Sequence, residues 1–490
     1  MEKSGVRGLV LDDSVLVAAG EAGSATQPRP GAESLLRHLR HSGIPTRIAC
    51  GEDLPAEKLC LLKKMAASYS FECFALDVAS TELGGAFNDG EGCVIYVISS
   101  SKKDVCTSLN HCNLLTIVLL DIHGESQSPS LLYINTLGEL PLTLCNLIKQ
   151  VAGSNLLKVG YIMKPSRAED FAKRGAFPMY PTQNGQIFVP LSFDLPLVSQ
   201  LQEVDVVLHK ATDEIISVDL SNSSQISKIT YSRGIQELKR YAEDHPECCI
   251  IDPFDNVSPV LDRLEIQQIL RGLEDLNTEG HCKIRGPYFL KVDDFNEQGL
   301  VPHLSEAKLS LPFIVKPQVA CGVADSHSMA IVFRNEDIKE LKVPLPAIIQ
   351  EYVDHSSTLY KFYVLGERIF HAVKRSIPNA PVLMKLSESN GLKPLAFDSL
   401  KSLPTATGDN GDFMANARTL DLDLVNTAAK WLMGKLKLTI FGFDVVVEER
   451  GGDHVIVDLN YLPSFKEVPD DIAIPAFWDA IKSKFESRRG

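Results

Sequence analysis

The sequence predicts an α/β protein that is built from several domains. The chain has 490 residues, which is more than one hydrophobic core usually organises. Between residues 7 and 150, short apolar runs typical of strands alternate with amphipathic segments typical of helices. Such alternation favours a parallel sheet covered by helices. After residue 260 the pattern changes to strands joined by a hairpin, which indicates a different kind of domain.

Each predicted element follows from a local pattern. The first strand, at residues 6–11, is apolar and ends in Asp12 and Asp13. The segment 31–41 places Leu35, Leu36 and Leu39 on one side of a helix. Further strands are expected at 44–49, 95–99, 114–121, 157–162, 204–209 and 249–252, with a helix at 235–243 and a linker at 151–155. The later region has predicted helices at 261–275 and 424–436, and strands at 313–316, 329–333, 347–352, 359–365, 368–375, 441–448 and 455–460.

Composition excludes some classes of function. The chain carries 49 basic and 63 acidic residues, a net charge of −14, which disfavours binding to nucleic acid through a broad basic surface. A local basic pocket for a small anion remains compatible with this charge. The 11 cysteines form no Cys-x-x-Cys pair, which favours reduced thiols. We find neither a signal-peptide layout nor an uncharged apolar run near the ~20 residues that span a bilayer.

A pair of apolar strands near the C-terminus carries oxygen donors. One strand contains Asp444, and the other contains Asp458 and Asn460. Residues two apart on a strand face the same way, so Asp458 and Asn460 point together, and pairing of the strands would add Asp444. Carboxylate and amide oxygens suit Mg²⁺, which bridges to phosphates. Spacing alone leaves open the alternative of polar residues at strand ends that bind no metal.

Three lysines lie in or directly after apolar strands: Lys210, Lys316 and Lys361. A lysine at such a position is costly unless it meets an anion, and phosphate is the obvious anion. Taken singly, each is better explained by a side chain that reaches solvent. The loop at 319–327 contains one glycine and ends in His327, so it could fold over phosphates. Neither Gly-x-Gly-x-x-Gly nor Gly-Lys-Ser/Thr is present, so the loop alone is a weak signal.

Taken in order, these segments resemble the inositol 1,3,4-trisphosphate 5/6-kinase family, also called the inositol-tetrakisphosphate 1-kinase family, which has an ATP-grasp fold. The resemblance covers about residues 157–470 and depends on the order and spacing of several short motifs. These are Val159-Gly160-Tyr161, His209-Lys210-Ala211-Thr212-Asp213, Leu261-Asp262-Arg263, Ile314-Val315-Lys316-Pro317, Ser326-His327, Ile349-Gln350-Glu351-Tyr352, Leu359-Tyr360-Lys361, Phe441-Gly442-Phe443-Asp444 and Val457-Asp458-Leu459-Asn460-Tyr461.

The resemblance implies roles for individual residues. The implied magnesium ligands, for two ions, are Asp444, Asp458 and Asn460, and with Lys361 they form the expected catalytic set. The implied ATP contacts are Arg263, Lys316, Lys361 and Ser376, with a hinge that reads adenine at Gln350, Glu351 and Tyr352. The implied contacts to the inositol phosphate are Arg167, Lys210, His327, Lys361, Asn460 and Ser464.

Three positions depart from the family pattern. Cys321 precedes the loop glycine where a polar residue is usual. Lys374 falls where the family has an arginine, and a lysine cannot bind phosphate in the bidentate manner of arginine. Ser464 replaces a glycine and brings a side chain to a place where backbone would approach the ligand. We therefore expect a substrate preference that differs from that of typical members.

The first 150 residues form an extension that is similar to that of long plant members and resembles a haloacid-dehalogenase-like α/β domain. The segments 29–36 and 42–45 carry this resemblance. Active members of that superfamily use Asp-x-Asp after the first strand. Here Asp12 is followed two residues later by Ser14, whose hydroxyl is a poor acid near neutral pH, and Asp13 is expected to point elsewhere. We expect a degenerate, non-catalytic domain, with a residual cation site at Asp121 left open.

We therefore expect four domains: the degenerate haloacid-dehalogenase-like domain at 1–155, the N-terminal α/β domain of the kinase at 156–252, and two α+β ATP-grasp subdomains at 253–345 and 346–490. The expected function is Mg-ATP-dependent phosphorylation of inositol tris-, tetrakis- or higher phosphates, with reversal and isomerase-like exchange through ADP left open. An ATP-grasp carboxylate–amine ligase and a non-enzymatic inositol-phosphate sensor are the alternatives. We expect a cytoplasmic monomer, with access to the nucleus left open, and no nucleic-acid partner.

Overall fold

The computed structural model describes residues 5–18, 26–51, 53–76, 87, 92–103, 114–121, 128, 131–153, 155–220, 228–277, 282–401, 403–404 and 418–489. The chain divides into two compact units. The first is formed by Met1–His209 and Asp244–Cys249, and the second by Lys210–Glu243 and Ile250–Gly490. Within the described ranges, no helix is both long enough and apolar enough to cross a membrane.

The first unit begins with a six-stranded sheet. Its strands are β1 (Gly5–Asp12), β2 (Thr46–Gly51), β3 (Glu72–Leu76), β4 (Gly92–Ser99), β5 (Leu114–Leu119) and β6 (Leu132–Ile134). Its helices are α1 (Asp13–Leu16), α2 (Ala32–Arg40), α3 (Ala56–Tyr69) and α4 (Leu140–Ala152). The strand order is β3-β2-β1-β4-β5-β6, and all neighbouring pairs are parallel. The predicted parallel sheet is confirmed, and central β1 brings Asp12 to its C-terminal edge.

The first unit continues through β7 (Leu157–Ile162), α5 (Pro165–Lys173), β8 (Gln186–Pro190), α6 (Leu197–Leu201) and β9 (Val206–His209). Strand β7 lies between β8 and β9 and is parallel to both. One buried apolar cluster contains Leu9 and Leu144 together with Ile187 and Val189. The predicted boundary at residue 155 falls within this unit, and it stays a prediction. Helix α4 extends to Ala152, so the expected linker begins inside a helix.

The second unit contains most of the remaining elements. Helix α7 (Arg233–Asp244) and strand β12 (Cys249–Ile251) each have residues in both units. The helices are α8 (Phe254–Val257), α9 (Arg263–Arg271), α10 (Leu300–Glu306), α11 (Ala380–Glu388), α12 (Leu422–Leu436) and α13 (Asp470–Ser487). The strands are β10 (Ile215–Asp219), β11 (Lys228–Tyr231), β13 (Ile284–Arg285), β14 (Phe289–Val292), β15 (Phe313–Pro317), β16 (Ser328–Val332), β17 (Ala347–Glu351), β18 (Thr358–Leu365), β19 (Arg368–Arg375), β20 (Leu395–Asp398), β21 (Ile440–Val447) and β22 (His454–Tyr461).

Two five-stranded sheets organise the second unit. One has the order β14-β17-β15-β16-β20 and is antiparallel throughout. The other has the order β13-β22-β21-β18-β19 and is antiparallel except between β13 and β22. The predicted hairpin around Gly366 is confirmed by the register that pairs Leu365 with Arg368. The predicted α+β class of this region is confirmed, but the boundary at residue 345 stays a prediction: β17 and β20 join the sheet of β14–β16, and β13 joins the sheet of β18 and β19.

The helix predicted at 261–275 is shorter in the structure. Asp262 caps α9 because its carboxylate accepts a hydrogen bond from the Leu264 N–H at 2.8 Å. The α-helical segment ends at Arg271, and a 3₁₀ turn continues from Gly272 to Leu276. The cap fixes where the helix begins, and this matters for the adjacent Arg263.

Candidate functional site

Three neighbouring strands of the second unit each place one charged side chain in a row. Lys361 on β18 lies directly opposite Asp444 on β21, and Asp444 lies directly opposite Asp458 on β22. Directly opposed residues project to the same face of a sheet. The next residues, Phe362 and Phe443, turn to the other face, where their rings stack at 5.1 Å between centroids. Alternation thus separates a charged face from an apolar core.

The strand register also explains the glycine two residues before Asp444. Gly442 lies opposite Asn460. A Cβ atom at this position would come within 3.0 Å of the Phe362 carbonyl and 3.1 Å of the Pro463 ring. Glycine therefore permits the close approach of the three strands beside Asn460.

Lys361 and Asp444 form an ion pair on the charged face. The Lys361 Nζ lies 3.0 Å from Asp444 Oδ1 and 3.1 Å from Oδ2. Burial raises the pKa of the Asp444 carboxyl, and the charge of Lys361 offsets only part of that effect. Burial also acts against the charge of Lys361, but the Asp444 carboxylate outweighs it, so the pKa of Lys361 is raised. Lys361 can therefore contact a bound polyanion, and Asp444 a bound cation, in place of each other.

Asp458 and Asn460 complete the set of oxygen donors. The Asn460 Nδ2 donates to Asp458 Oδ2 at 3.3 Å, which leaves the Asn460 Oδ1 available as a ligand. Asp458 forms no ion pair with any residue in the described ranges. The same ranges contain no group of three His, Cys, Asp or Glu residues that could hold a metal ion, and the set here has two carboxylates and one amide. This donor set fits Mg²⁺, which takes few protein oxygens and keeps water and phosphate ligands.

Lys316 lies on β15 of the other five-stranded sheet, and its side chain extends to the strand that carries Asp458. On β15, Phe313 and Val315 pack into the buried cluster that includes Leu300 and Leu304 of α10. Alternation turns Lys316 to the opposite side, where its Nζ donates to the Val457 carbonyl at 3.2 Å. Burial lowers the pKa of Lys316 to about 8. A buried ammonium next to two carboxylate-bearing strands is a binding point for an anion.

Arg263 anchors the loop that follows Lys316. It is 4% exposed, and its Nη1 donates to the carbonyls of Pro317, Val319 and Ser326 at 2.6, 3.0 and 3.1 Å. Its Nη2 donates to the Ala320 carbonyl at 3.3 Å. The structure therefore shows Arg263 shaping the loop, and its predicted contact to ATP stays a prediction.

Lys210 and His327 hold defined positions in the second unit. The Lys210 Nζ donates to the Tyr461 carbonyl and lies 4.9 Å above the centre of the Tyr461 ring. His327 ends the loop anchored by Arg263, and its Nδ1 lies 3.2 Å from the Ser399 hydroxyl. Burial lowers the pKa of His327. Lys210 thus contacts the residue that follows Asn460, which brings it to the end of the charged face.

The predicted adenine hinge is the end of β17. Gln350 is buried, and the Glu351 carboxylate pairs with the Arg285 guanidinium at 2.7 Å. The Glu351 N–H already donates to the Tyr288 carbonyl at 2.8 Å, and the Tyr352 hydroxyl donates to the Pro378 carbonyl. The predicted Ser376 is buried just after β19. Adenine recognition by these residues stays a prediction.

Two further residues of the predicted substrate site lie in different units. Arg167 lies on α5 in the first unit, so its contact to the inositol phosphate stays a prediction. Ser464 follows β22 in the second unit and is half-buried. Three residues later in sequence, the Glu467 carboxylate pairs with the Lys374 ammonium and accepts a hydrogen bond from the Tyr363 hydroxyl.

Comparison with known proteins identifies the family. The model of the inositol 1,3,4-trisphosphate 5/6-kinase ATP-grasp domain matches residues 279–478, and the model described as "ITPK4, N-terminal HAD-like domain" matches residues 1–150. The chain is 50% identical to inositol-tetrakisphosphate 1-kinase 6 of Oryza sativa subsp. japonica over 98% of this chain and 90% of that relative. The chain belongs to the inositol-tetrakisphosphate 1-kinase family.

Other members of the kinase family match about two-thirds of the chain. Inositol-tetrakisphosphate 1-kinase of Danio rerio is 27% identical over 62% of this chain and 72% of that relative. Inositol-tetrakisphosphate 1-kinase 5 of Oryza sativa subsp. japonica is 26% identical over 66% of this chain and 90% of that relative. These matches confirm the expected inositol phosphate kinase family, and the match at 1–150 confirms the haloacid-dehalogenase-like extension.

The extension of this kinase carries its own cluster of charged residues. Asp12 Oδ1 accepts from the Ser14 hydroxyl at 2.6 Å, and Oδ2 accepts from the Tyr96 hydroxyl at 2.7 Å. The Lys102 Nζ lies 2.8 Å from Asp12 and 2.6 Å from Asp13. The expectation that Asp13 points elsewhere is wrong, because the strand ends at Asp12 and α1 begins at Asp13, so strand alternation no longer applies.

Asp121, the expected residual cation ligand, is also paired. Its carboxylate lies 2.6 Å from the Arg29 guanidinium and accepts hydrogen bonds from the Ser100 hydroxyl at 3.1 Å and the Ser101 N–H at 3.2 Å. Burial acts against the charge of Asp121, but these partners outweigh it, so the pKa of Asp121 is lowered. The residual cation site stays untested, and the carboxylate already has three partners.

Sequence reasoning missed two features of the site. It did not assign Glu467, which lies on the segment after β22, and it did not find the pairing of Arg285 with Glu351 and Asp453. The only available signal for Glu467 was its position three residues after the unusual Ser464. The partners of Arg285 are 66 and 168 residues away in sequence, so no local pattern reveals them.

Proposed function

We propose that this kinase transfers the terminal phosphoryl group of Mg-ATP to a hydroxyl of an inositol tris- or tetrakisphosphate on the face that carries Lys361, Asp444 and Asp458. The observation that supports this most is the row formed by these three residues. Phosphoryl transfer needs neutralised charge and in-line positioning more than covalent chemistry. The printed names of the relatives supply the substrate class.

In this proposal, Asp444, Asp458 and the Asn460 Oδ1 hold two magnesium ions. Magnesium supplies positive charge that neutralises the oxygens of the transferring phosphoryl group. Lys316 contacts the ATP phosphates, because burial disfavours its charged form and lowers its pKa to about 8, and a phosphate stabilises that form. Lys361 exchanges its contact with Asp444 for a phosphate oxygen and thereby joins the nucleotide to the inositol phosphate.

The remaining residues position the two substrates. Arg263 holds the loop that contains Cys321 through its carbonyl groups and contacts the ATP phosphates beside Lys316. The hinge residues Gln350, Glu351 and Tyr352 contact adenine, and Ser376 contacts the nucleotide. Arg167, Lys210, His327, Asn460 and Ser464 contact the inositol phosphate.

The two alternative functions have less support. A carboxylate–amine ligase needs a site for an acceptor amine, whereas Lys210, Lys316 and Lys361 favour a polyanion. A non-enzymatic sensor does not need the paired carboxylates of Asp444 and Asp458. We further propose a cytoplasmic monomer without a nucleic-acid partner, for which light scattering of the purified protein is the direct measurement of oligomeric state.

The test is a screen of the purified full chain against a panel of inositol phosphate isomers with Mg-ATP, with products identified by NMR. We expect one or a few isomers to gain a phosphate, and we expect the reverse reaction when the product is supplied with ADP. The same panel with amino-acid pairs tests the ligase. ATP turnover with amino acids but not with inositol phosphates would overturn the proposal, as would tight inositol phosphate binding without turnover.

A further inference from the structure

A corner of the charged face combines Glu467 with four residues of the β18–β19 hairpin. Lys361 and Tyr363 are two apart on β18 and face the same way. Ala372 lies directly opposite Lys361, and Lys374 is two residues further along β19. All four side chains therefore share one face, and Ala372 is the small residue between the two lysines. Glu467 enters this face from the segment after β22.

Glu467 is held by both sides of the hairpin. The Tyr363 hydroxyl donates to its Oε2, and the Lys374 ammonium pairs with its Oε1. The Glu467 side chain is 17% exposed and that of Lys374 is 41% exposed, so solvent and ligands reach the pair. Burial acts against the charge of Glu467, but Lys374 and Tyr363 outweigh it and its pKa is lowered, so the carboxylate is charged at neutral pH.

Lys361 on the same face already pairs with the Asp444 carboxylate at 3.0 Å. The corner therefore contains two lysines, and each already faces a carboxylate. A phosphate placed here would have to displace Glu467 from Lys374 and would meet a fixed negative charge. A hydroxyl would instead donate a hydrogen bond to the carboxylate, which is a charge-assisted interaction.

We infer that Glu467 determines substrate specificity: it selects inositol phosphates that carry a free hydroxyl at the ring position facing Lys374 and rejects those that carry a phosphate there. The inference rests on the proposed function, since it concerns the same substrate site. Specificity of this kind arises from a repulsive element as much as from an attractive one. Lys374 is then a partner of Glu467 and not a phosphate anchor.

The experiment compares Glu467→Gln with Lys374→Met. The glutamine keeps an oxygen for the Tyr363 hydroxyl, removes the negative charge and releases Lys374. Pairs of substrates that differ by one phosphate are drawn from inositol tris-, tetrakis- and pentakisphosphates, and kcat/KM is measured for each with Mg-ATP. For at least one pair we expect Glu467→Gln to shift the ratio about tenfold toward the more phosphorylated member. Lys374→Met leaves Glu467 without its cation and is expected to shift the same ratio the other way.

Lys466→Gln is the matched control, because Lys466 is the exposed neighbour of Glu467 and has no place in the site. Binding of the same inositol phosphates without ATP, measured by calorimetry, and the melting temperature of each variant accompany the kinetics. Opposite shifts in the two variants support the inference. The inference would be overturned if both variants shifted the kcat/KM ratio equally, or if the ratio stayed unchanged, with or without a lower melting temperature. Glu467 would then have only a structural role. A wild-type protein that phosphorylates no inositol phosphate would instead contradict the proposed function.

Discussion

The two units of this kinase each contain a pair of aspartates with lysines beside them, and the two pairs differ in how much of their charge is already satisfied. In the first unit, Lys102 contacts both Asp12 and Asp13, and Lys58 lies 2.7 Å from the second oxygen of Asp13. In the second unit, Lys361 pairs with Asp444, while Asp458 accepts only the amide of Asn460 among described side chains.

The difference explains why similar residues suit different tasks. The carboxylates of the first pair already contact lysines, a tyrosine and a serine, so we expect this pair to stabilise the fold. Asp458 and the free oxygen of Asn460 leave the second pair incomplete. Asp458 is half-buried and Asn460 is exposed, so a ligand can reach these oxygen atoms, which is the condition expected of a binding site.

Asp458→Asn should separate the two pairs most clearly. The substitution removes the carboxylate that lacks a lysine, so we expect kcat to fall by about a thousandfold, which corresponds to several kcal/mol of transition-state stabilisation. The control is Asp12→Asn, which should leave kinase activity per folded molecule unchanged. Near wild-type turnover in Asp458→Asn, with products measured by NMR, would contradict the assignment of the metal ligands.

Lys316→Met should weaken the use of ATP, because it removes a buried charge that has no carboxylate partner of its own. We expect kcat/KM for ATP to fall by about a hundredfold, as for the loss of a hydrogen bond to a charged group. His327→Ala should chiefly raise KM for the inositol phosphate, and exposed Lys342→Met is the matched control. If Lys316→Met and His327→Ala change both substrates equally, the division of the site is wrong.

Lys102→Met should test whether the first pair is structural. Asp13 is fully buried, and loss of Lys102 would leave Lys58 as its remaining cation. We expect the free energy of unfolding of the first unit to fall by about 2 kcal/mol, because breaking a buried ion pair leaves a charge without its partner. Exposed Lys64→Met should have no such effect in denaturant unfolding. Phosphatase activity that depends on Asp12 would show that the extension is an enzyme after all.

The smallest expected effect is a pH dependence of ATP binding. The pKa of Lys316 is lowered to about 8, so above that pH the free protein holds it neutral, and bound phosphate restores the proton. We expect an uptake of about half a proton per ATP near pH 8, and none in Lys316→Met, by calorimetry in buffers of different ionisation enthalpy. Because the unfolded lysine has the higher pKa, Lys316 itself reduces stability below pH 8, and that cost diminishes as the pH rises. Proton release at pH 8.5 would contradict the assignment.

Much of the kinase face was predictable because its pattern is local. Asp458 and Asn460 are two apart on one strand, and alternation alone places them together. The neighbouring strand is 14 residues earlier at Asp444, which limits the pairing to a short antiparallel connection. The order of the motifs then indicated the family. Arg263 is a residue for which this reasoning fails. Its guanidinium donates hydrogen bonds to carbonyls 54 to 63 residues away, and no local pattern in the sequence predicts those contacts.

By itself, the sequence determined the α/β class, the parallel sheet of the extension, the strands that carry Asp444 and Asp458, and the kinase family. Only the tertiary structure decided that Asp12 and Asp13 share one lysine, that residues on both sides of residue 155 share a buried cluster, and that Glu467 contacts Tyr363 and Lys374. The Tyr363 hydroxyl and Glu467 are 104 residues apart, so nothing in the intervening sequence specifies their contact. Periodicity predicts on which face of an element a side chain lies, whereas the partner that the side chain contacts depends on how distant elements pack.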